Sequence, residues 1–161
     1  MTAMGPTMAT IGYYGPSILM LLNIWNLRNI TLHVFLYVLY ILALVVFTKQ
    51  LKGWIREPRP YGYNHDSNKE WMHDFEYSGA EIYGMPSGHS ATLFFSLLYL
   101  WFYSRPPLRT TYMIVGAFVA FLTLYQRYQY RKHTVAQLAA GAILGVGMAY
   151  LAYLANTYVF V

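Results

Sequence analysis

The sequence predicts an all-α fold, a polytopic integral membrane bundle of about five transmembrane helices with four or six as the alternatives. Two observations carry that expectation. Of 161 residues, 57% are hydrophobic and 11% charged, whereas a soluble domain carries roughly 25% charged residues. The apolar residues also gather into runs close to the ~20 residues that a helix needs to cross the hydrocarbon core. Those runs are approximately Thr7 to Trp25, Ile30 to Phe47, Ser87 to Tyr103, Thr110 to Tyr125 and Val135 to Tyr158. A soluble bundle is disfavoured because runs of this length and composition leave no polar face to turn toward water. The length fits one domain, residues 1–161.

Each run has its own punctuation. The first contains Gly15-Pro16 and is expected to kink, tilt or insert only in part, since proline removes a backbone donor and crowds the preceding turn. No basic region precedes it, Arg28 being the first basic residue, so a cleavable signal peptide is not expected. The second run carries a lone ionisable residue, His33, read as a helix-packing hydrogen bonder or, as any intramembrane ionisable group must be, a functional candidate. The third opens on Pro86-Ser87-Gly88-His89, and the fourth follows the short turn Ser104 to Arg109. The last holds Gly141 and Gly145 in a G-x-x-x-G spacing, which lets a second helix approach closely, within the monomer or across a dimer.

Charge localises the chemistry. All six acidic residues (Glu57, Asp66, Glu70, Asp74, Glu76 and Glu81) lie in the connection between the second and third runs. That connection, about 40 residues, is long for a compact bundle. Its aromatic residues Tyr61, Tyr63, Trp71, Phe75, Tyr77 and Tyr83 argue against simple disorder and fit an interfacial segment capping a site; a solvated loop is the plainer alternative. In an antiparallel bundle this connection and the Arg127 to His133 turn fall on the same side of the membrane. The turns at Leu27 to Asn29 and Ser104 to Arg109 fall on the other.

Three stretches therefore converge at one end. They are Lys52-Gly-Trp-Ile-Arg-Glu-Pro-Arg59-Pro60, then Gly84-Met-Pro86-Ser87-Gly88-His89-Ser90, then Gln126-Arg127 with His133 and Gln137 following. Their residue types suit a phosphoryl group, whose transition state spreads negative charge over three oxygens and is stabilised by fixed cations and N–H donors. Lys52, Arg59 and Arg127 supply cations, the arginines as planar forks and the lysine as a point charge. Ser87 adds a hydroxyl, and Gly88 lets the backbone approach where a helix N-terminus already favours an anion. Gln137 stands four residues after His133, hence on the same helical face.

In order and spacing the three stretches resemble the signature of the type 2 phosphatidic acid phosphatase (PAP2) superfamily, K-x6-RP, PSGH and SR-x5-H-x3-D, over about residues 49 to 146. The resemblance implies a metal-independent lipid phosphatase that needs no cofactor. His133 would be the nucleophile that forms a phosphohistidine. His89 would protonate the leaving oxygen and then activate water. Lys52, Arg59, Ser87, Gly88 and Arg127 would cradle the phosphate. The sequence departs from the pattern in having Gln126 for Ser and Gln137 for Asp. An amide oxygen can accept the imidazole N–H and fix the tautomer, but it cannot stabilise developing positive charge as a carboxylate does. The Gly-Met-Pro-Ser run and His133-Thr-Val-Ala-Gln137 resemble the dolichyl-diphosphate branch most. A polyisoprenyl diphosphate is therefore the expected substrate, with phosphatidic acid or phosphatidylglycerol phosphate next, in an endoplasmic reticulum or bacterial inner membrane.

Other readings carry less. His89 and His133 could join His65, His73, Asp66 or Asp74 around a metal, but no pair has the spacing that places ligands on one helical turn. Arg56 and Glu57 are accounted for by a local ion pair or a headgroup contact. A net charge of +5 is spread over both membrane edges and the phosphate motifs, which fits anionic lipid as the partner and not nucleic acid. Without those motif cations little bias is left to fix topology by the positive-inside rule. Lack of cysteine removes disulfide and thiol chemistry. A non-catalytic lipid-phosphate binder, weakened by Gln137, is the alternative of a different class.

Overall fold

The computed structural model describes residues 4–60 and 79–159. Among the described residues five α-helices form the bundle: α1 (Pro6–Leu27), α2 (Thr31–Ile55), α3 (Gly88–Tyr103), α4 (Pro106–Gln129) and α5 (Val135–Val159). A single 3-10 turn, Gly79–Ile82, precedes α3, and Pro58 pairs with Tyr83 in an isolated antiparallel bridge. Of these helices α2, α4 and α5 are long and apolar enough to cross a membrane by length and composition. The aromatic residues of the long connection other than Tyr83, and the candidate ligands His65, Asp66, His73 and Asp74, lie outside the described residues.

Local chemistry accounts for most boundaries. Pro6 and Pro106 sit in the first turn of their helices, where a missing N–H costs nothing and the fixed φ is already helical. Ser87 is the N-cap of α3, its Oγ accepting from the Ser90 N–H at 3.4 Å. α2 ends at Arg56, a left-handed residue (φ 53°) whose N–H donates to the Lys52 carbonyl. α1 is a continuous helix of 22 residues with Pro16 inside it, packed against α3 and α4. One expectation shifts. α2 and α4 extend beyond the apolar runs, to Ile55 and Gln129, so Lys52 and Arg127 ride on final helical turns and not in loops. Cations are favoured there by the helix dipole.

α3, the shortest helix with 16 residues, touches the other four and supplies the fully buried Ala91, Leu93, Phe95, Tyr99 and Leu100. It packs most closely on α5. A Cβ on Gly141 would overlap the Ser87 carbonyl, and one on Gly145 would overlap that of Ala91, so this glycine pair serves contact inside the monomer. The outer helices present Leu42, Val46, Phe118, Phe121, Ile143 and Leu151 outward, a surface suited to lipid.

The chain direction alternates through the bundle. Consequently the C-terminal turns of α2 and α4 meet the N-terminal turns of α3 and α5 at one end. At the other end a polar knot ties the helices together. The buried Asn156 accepts from the Tyr40 hydroxyl at 2.8 Å and donates to the hydroxyls of Tyr99 (3.2 Å) and Tyr103 (2.7 Å). His33 lies there too, its ring 5.3 Å from that of Tyr103 and away from the motif residues.

Candidate active site

A cavity of about 310 Å3 opens where those helix termini meet. It is lined by Lys52, Arg59, Glu81, Gly88, His89, Arg127 and His133, with Pro16, Ser17, Val45, Thr48 and Thr92 completing its wall. Residues 81 positions apart in sequence, Lys52 and His133, thus share one chamber. Ser87 and Gln137 do not line it. Ser87 is buried behind the wall as the α3 cap, and its own N–H donates to the Gln137 carbonyl at 3.0 Å.

His133 follows the tight turn after α4, in which Arg131 takes a left-handed φ of 53° and the His133 N–H donates to the Arg127 carbonyl at 3.3 Å. That turn sets nucleophile candidate and cation side by side. The His133 ring is 3% exposed, and its Nδ1 lies 3.0 Å from the Gly84 carbonyl oxygen. A carbonyl only accepts, so Nδ1 carries the proton and Nε2 the lone pair. Nε2 faces Arg59 Nη1 at 3.4 Å. Burial and then the nearby charges of Arg59, Arg127 and Lys52 hold the His133 pKa well below the ordinary histidine range, with the Gln137 side chain opposing in part. The ring is neutral at pH 7 and its tautomer is the one that a nucleophile aimed at the cavity requires.

Gln137 has more partners than the sequence suggests. Its Nε2 donates to Glu57 Oε1 and to the Pro58 carbonyl, both at 2.8 Å, and its Oε1 accepts from the Thr134 N–H at 3.2 Å. Glu57 in turn accepts at its carbonyl from the Gly84 N–H at 2.8 Å. Gln137 therefore joins all three motif stretches, its side chain bonding the first and third and its carbonyl accepting from Ser87 in the second, beside the backbone whose Gly84 carbonyl accepts from His133 Nδ1. A carboxylate here would face the Glu57 carboxylate with like charge, which is a physical reason for glutamine. Gly84 has to be glycine, because a Cβ would overlap the Gln137 side chain. Arg56 turns its Nε back to the Gly53 carbonyl at 2.9 Å, while Glu57 serves Gln137.

Each cation has partners within the protein. Arg59 donates from Nη1 to the Lys132 carbonyl at 2.8 Å and from Nη2 to the Glu81 carbonyl at 2.9 Å. Lys52, 3% exposed, is ion-paired to the Glu81 carboxylate. Arg127, 2% exposed, has Nη2 at 2.8 Å from Nδ1 and 2.9 Å from Nε2 of His89. An atom equidistant from both ring nitrogens lies along neither lone pair, so the guanidinium rests against the imidazole. Its other side faces the Tyr13 ring at 5.5 Å, and that ring also lies 6.0 Å from His89. Among the described residues no three His, Asp or Glu side chains are grouped to hold a metal.

Sequence reasoning misses Gly84, Glu57, Glu81 and Tyr13. Glu57 and Glu81 bracket the acidic connection, which is a signal that they flank the site. Nothing in the sequence marks Tyr13, whose helix lies outside the motif region.

Compared with known families, residues 33–160 match the family model described as PAP2 superfamily. No curated protein and no solved structure matches the chain.

Proposed function

The chain belongs to the PAP2 superfamily, whose members are phosphatases acting on phosphate esters, and from that premise we propose that it is a membrane lipid phosphatase. In this reading it cuts a polyisoprenyl diphosphate, of the dolichyl or undecaprenyl kind, to the monophosphate through a phosphohistidine on His133. The observation that carries the proposal is the His133 ring, neutral, with Nδ1 committed to Gly84 and Nε2 turned toward the cavity that holds Lys52, Arg59, Arg127 and His89.

His133 Nε2 attacks the terminal phosphorus as the bond to the bridging oxygen breaks, and His89 gives that oxygen a proton so that the lipid monophosphate leaves. Water then attacks the phosphohistidine, His89 takes its proton, and the N–P bond breaks to release orthophosphate and regenerate His133. Positive charge on His133 in the intermediate is met by the Gly84 carbonyl dipole. Lys52, Arg59 and Arg127 neutralise the equatorial oxygens, and the α3 N-terminus at Gly88 adds backbone donors. Pro16, Val45 and Thr48 offer the first methylenes of the lipid a partly apolar wall.

Gln137 is the reason in the sequence to consider a binder without turnover, and it loses force when the Gly84 carbonyl accepts the hydrogen bond from the ring N–H. The choice of a polyisoprenyl chain rests on the resemblance of the second and third stretches to the dolichyl-diphosphate branch.

Purified protein in detergent, assayed with EDTA for phosphate release from polyisoprenyl diphosphate, phosphatidic acid and phosphatidylglycerol phosphate, tests the reading. Turnover is expected to fall about a thousandfold or more in His133→Ala, with the polyisoprenyl diphosphate preferred. Folded wild-type protein that releases phosphate from none of these lipids would return the binder as the better reading. Release that EDTA abolishes would sink the metal-free mechanism.

A further inference from the structure

Among the described residues one carboxylate lines this cavity, and no motif assigns it a role. Glu81 sits in the 3-10 turn before α3, and its side chain is ion-paired to Lys52. The two ends of this pair differ. Lys52 has 4% of its side chain exposed and Glu81 40%, so the lysine is fixed by packing and the glutamate reaches in from the mouth. The Glu81 backbone is anchored independently, its carbonyl accepting from Arg59 Nη2 at 2.9 Å. Rotation of the side chain can thus take the carboxylate off Lys52 while Arg59 and the turn stay in place.

A carboxylate and a phosphate oxygen are both anions that accept from an ammonium, and Lys52 cannot serve both at full strength. We propose that Glu81 is a built-in competitor for phosphate at Lys52, which keeps the affinity for free orthophosphate low and speeds product release. A lipid-borne phosphate offsets the competition because its chain is already held in the bilayer, at high local concentration beside the cavity. Free orthophosphate has no such second attachment. Glu81 thereby separates the lipid-borne substrate from the orthophosphate product, which lacks the lipid but presents the same oxygens to the cradle. The inference rests on the cavity being the phosphate site.

Inhibition constants for inorganic phosphate and orthovanadate test it, measured on wild type, Glu81→Gln, Glu81→Ala and Lys52→Ala, with vanadate-induced thermal stabilisation as a second readout that needs no turnover. Both Glu81 variants are expected to bind the two anions about five- to tenfold more tightly than wild type, since a competing charge is removed. Lys52→Ala is expected to bind them more weakly. Unchanged or weaker anion binding in both Glu81 variants, with Lys52→Ala still impaired, overturns the competitor role and leaves the phosphate site standing. Anion binding that ignores Lys52→Ala overturns the phosphate site itself and this proposal with it.

Discussion

The two ends of the bundle are both polar and both buried, yet they are built on opposite principles. At the far end Asn156, Tyr40, Tyr99 and Tyr103 are neutral, and each satisfies another. At the site end Lys52, Arg59 and Arg127 line one cavity of about 310 Å3, with Glu81 the carboxylate among them. Like charges brought together in a low-dielectric setting repel, and this costs stability. Neutral groups that answer one another are glue; cations gathered against repulsion make sense when an anion is to be met. The difference supports placing the proposed site at the cationic end more firmly than any single motif does.

Gln137 is where that contrast can be broken most sharply, because it sits at the site end and yet behaves like far-end glue. Gln137→Glu sets a carboxylate against Glu57 and takes away the donor to Pro58. It should lower kcat/KM by about a hundredfold by loosening the Gly84 backbone that orients His133. Adding Glu57→Gln restores one donor–acceptor pair with the roles exchanged, and the double variant should recover at least about tenfold of the loss. A double variant no better than the single would mean that Gln137 acts on His133 in some way other than through Glu57. The far end supplies the converse test. Asn156→Leu strands three tyrosine hydroxyls and should cost about 1–2 kcal/mol in thermal unfolding measured in detergent, with kcat/KM unchanged. A fall in activity beyond that of stability would remove the distinction between glue and function.

How much of this was legible in sequence follows from the reach of each interaction. Helices and their order were readable because hydrophobic run length is a local property. The residues Lys52, Arg59, His89, Arg127 and His133 were readable because their types and spacings are tied to phosphate chemistry, and alternating helix direction brings them to one end. Two helices outran their apolar runs because the added turns carry Lys52 and Arg127, buried cations that hydropathy scores as polar. Pro16 lies within a continuous α1 that packs against α3 and α4. The partners of Gln137 were not legible. Its bonds to Glu57 and Pro58 cross about 80 positions of sequence, and the acceptor for His133 is a backbone carbonyl, an atom that every residue has.

The smallest effect expected is in the pH dependence, and it reads the site end alone. In the proposed mechanism the active form of His133 is neutral, and burial beside Arg59, Arg127 and Lys52 lowers its pKa well below the ordinary histidine value. The neutral fraction therefore persists as pH falls through about 6.5, and the acid limb of kcat/KM attributable to the nucleophile should lie below that point. Stability moves the other way over the same window. An unfolded chain takes up a proton at His133 below about pH 6.5 that the folded chain refuses, so this residue contributes a loss of up to about 1.4 kcal/mol per pH unit on acidification. The loss should vanish in His133→Asn, measured as the difference in unfolding temperature between wild type and variant from pH 7.5 downward. An acid limb at or above the ordinary histidine value, with no change in pH sensitivity on substitution, would mean that His133 is charged in the folded protein. The Gly84 hydrogen bond would then be holding a cation, and the lone pair assigned to Nε2 would not exist.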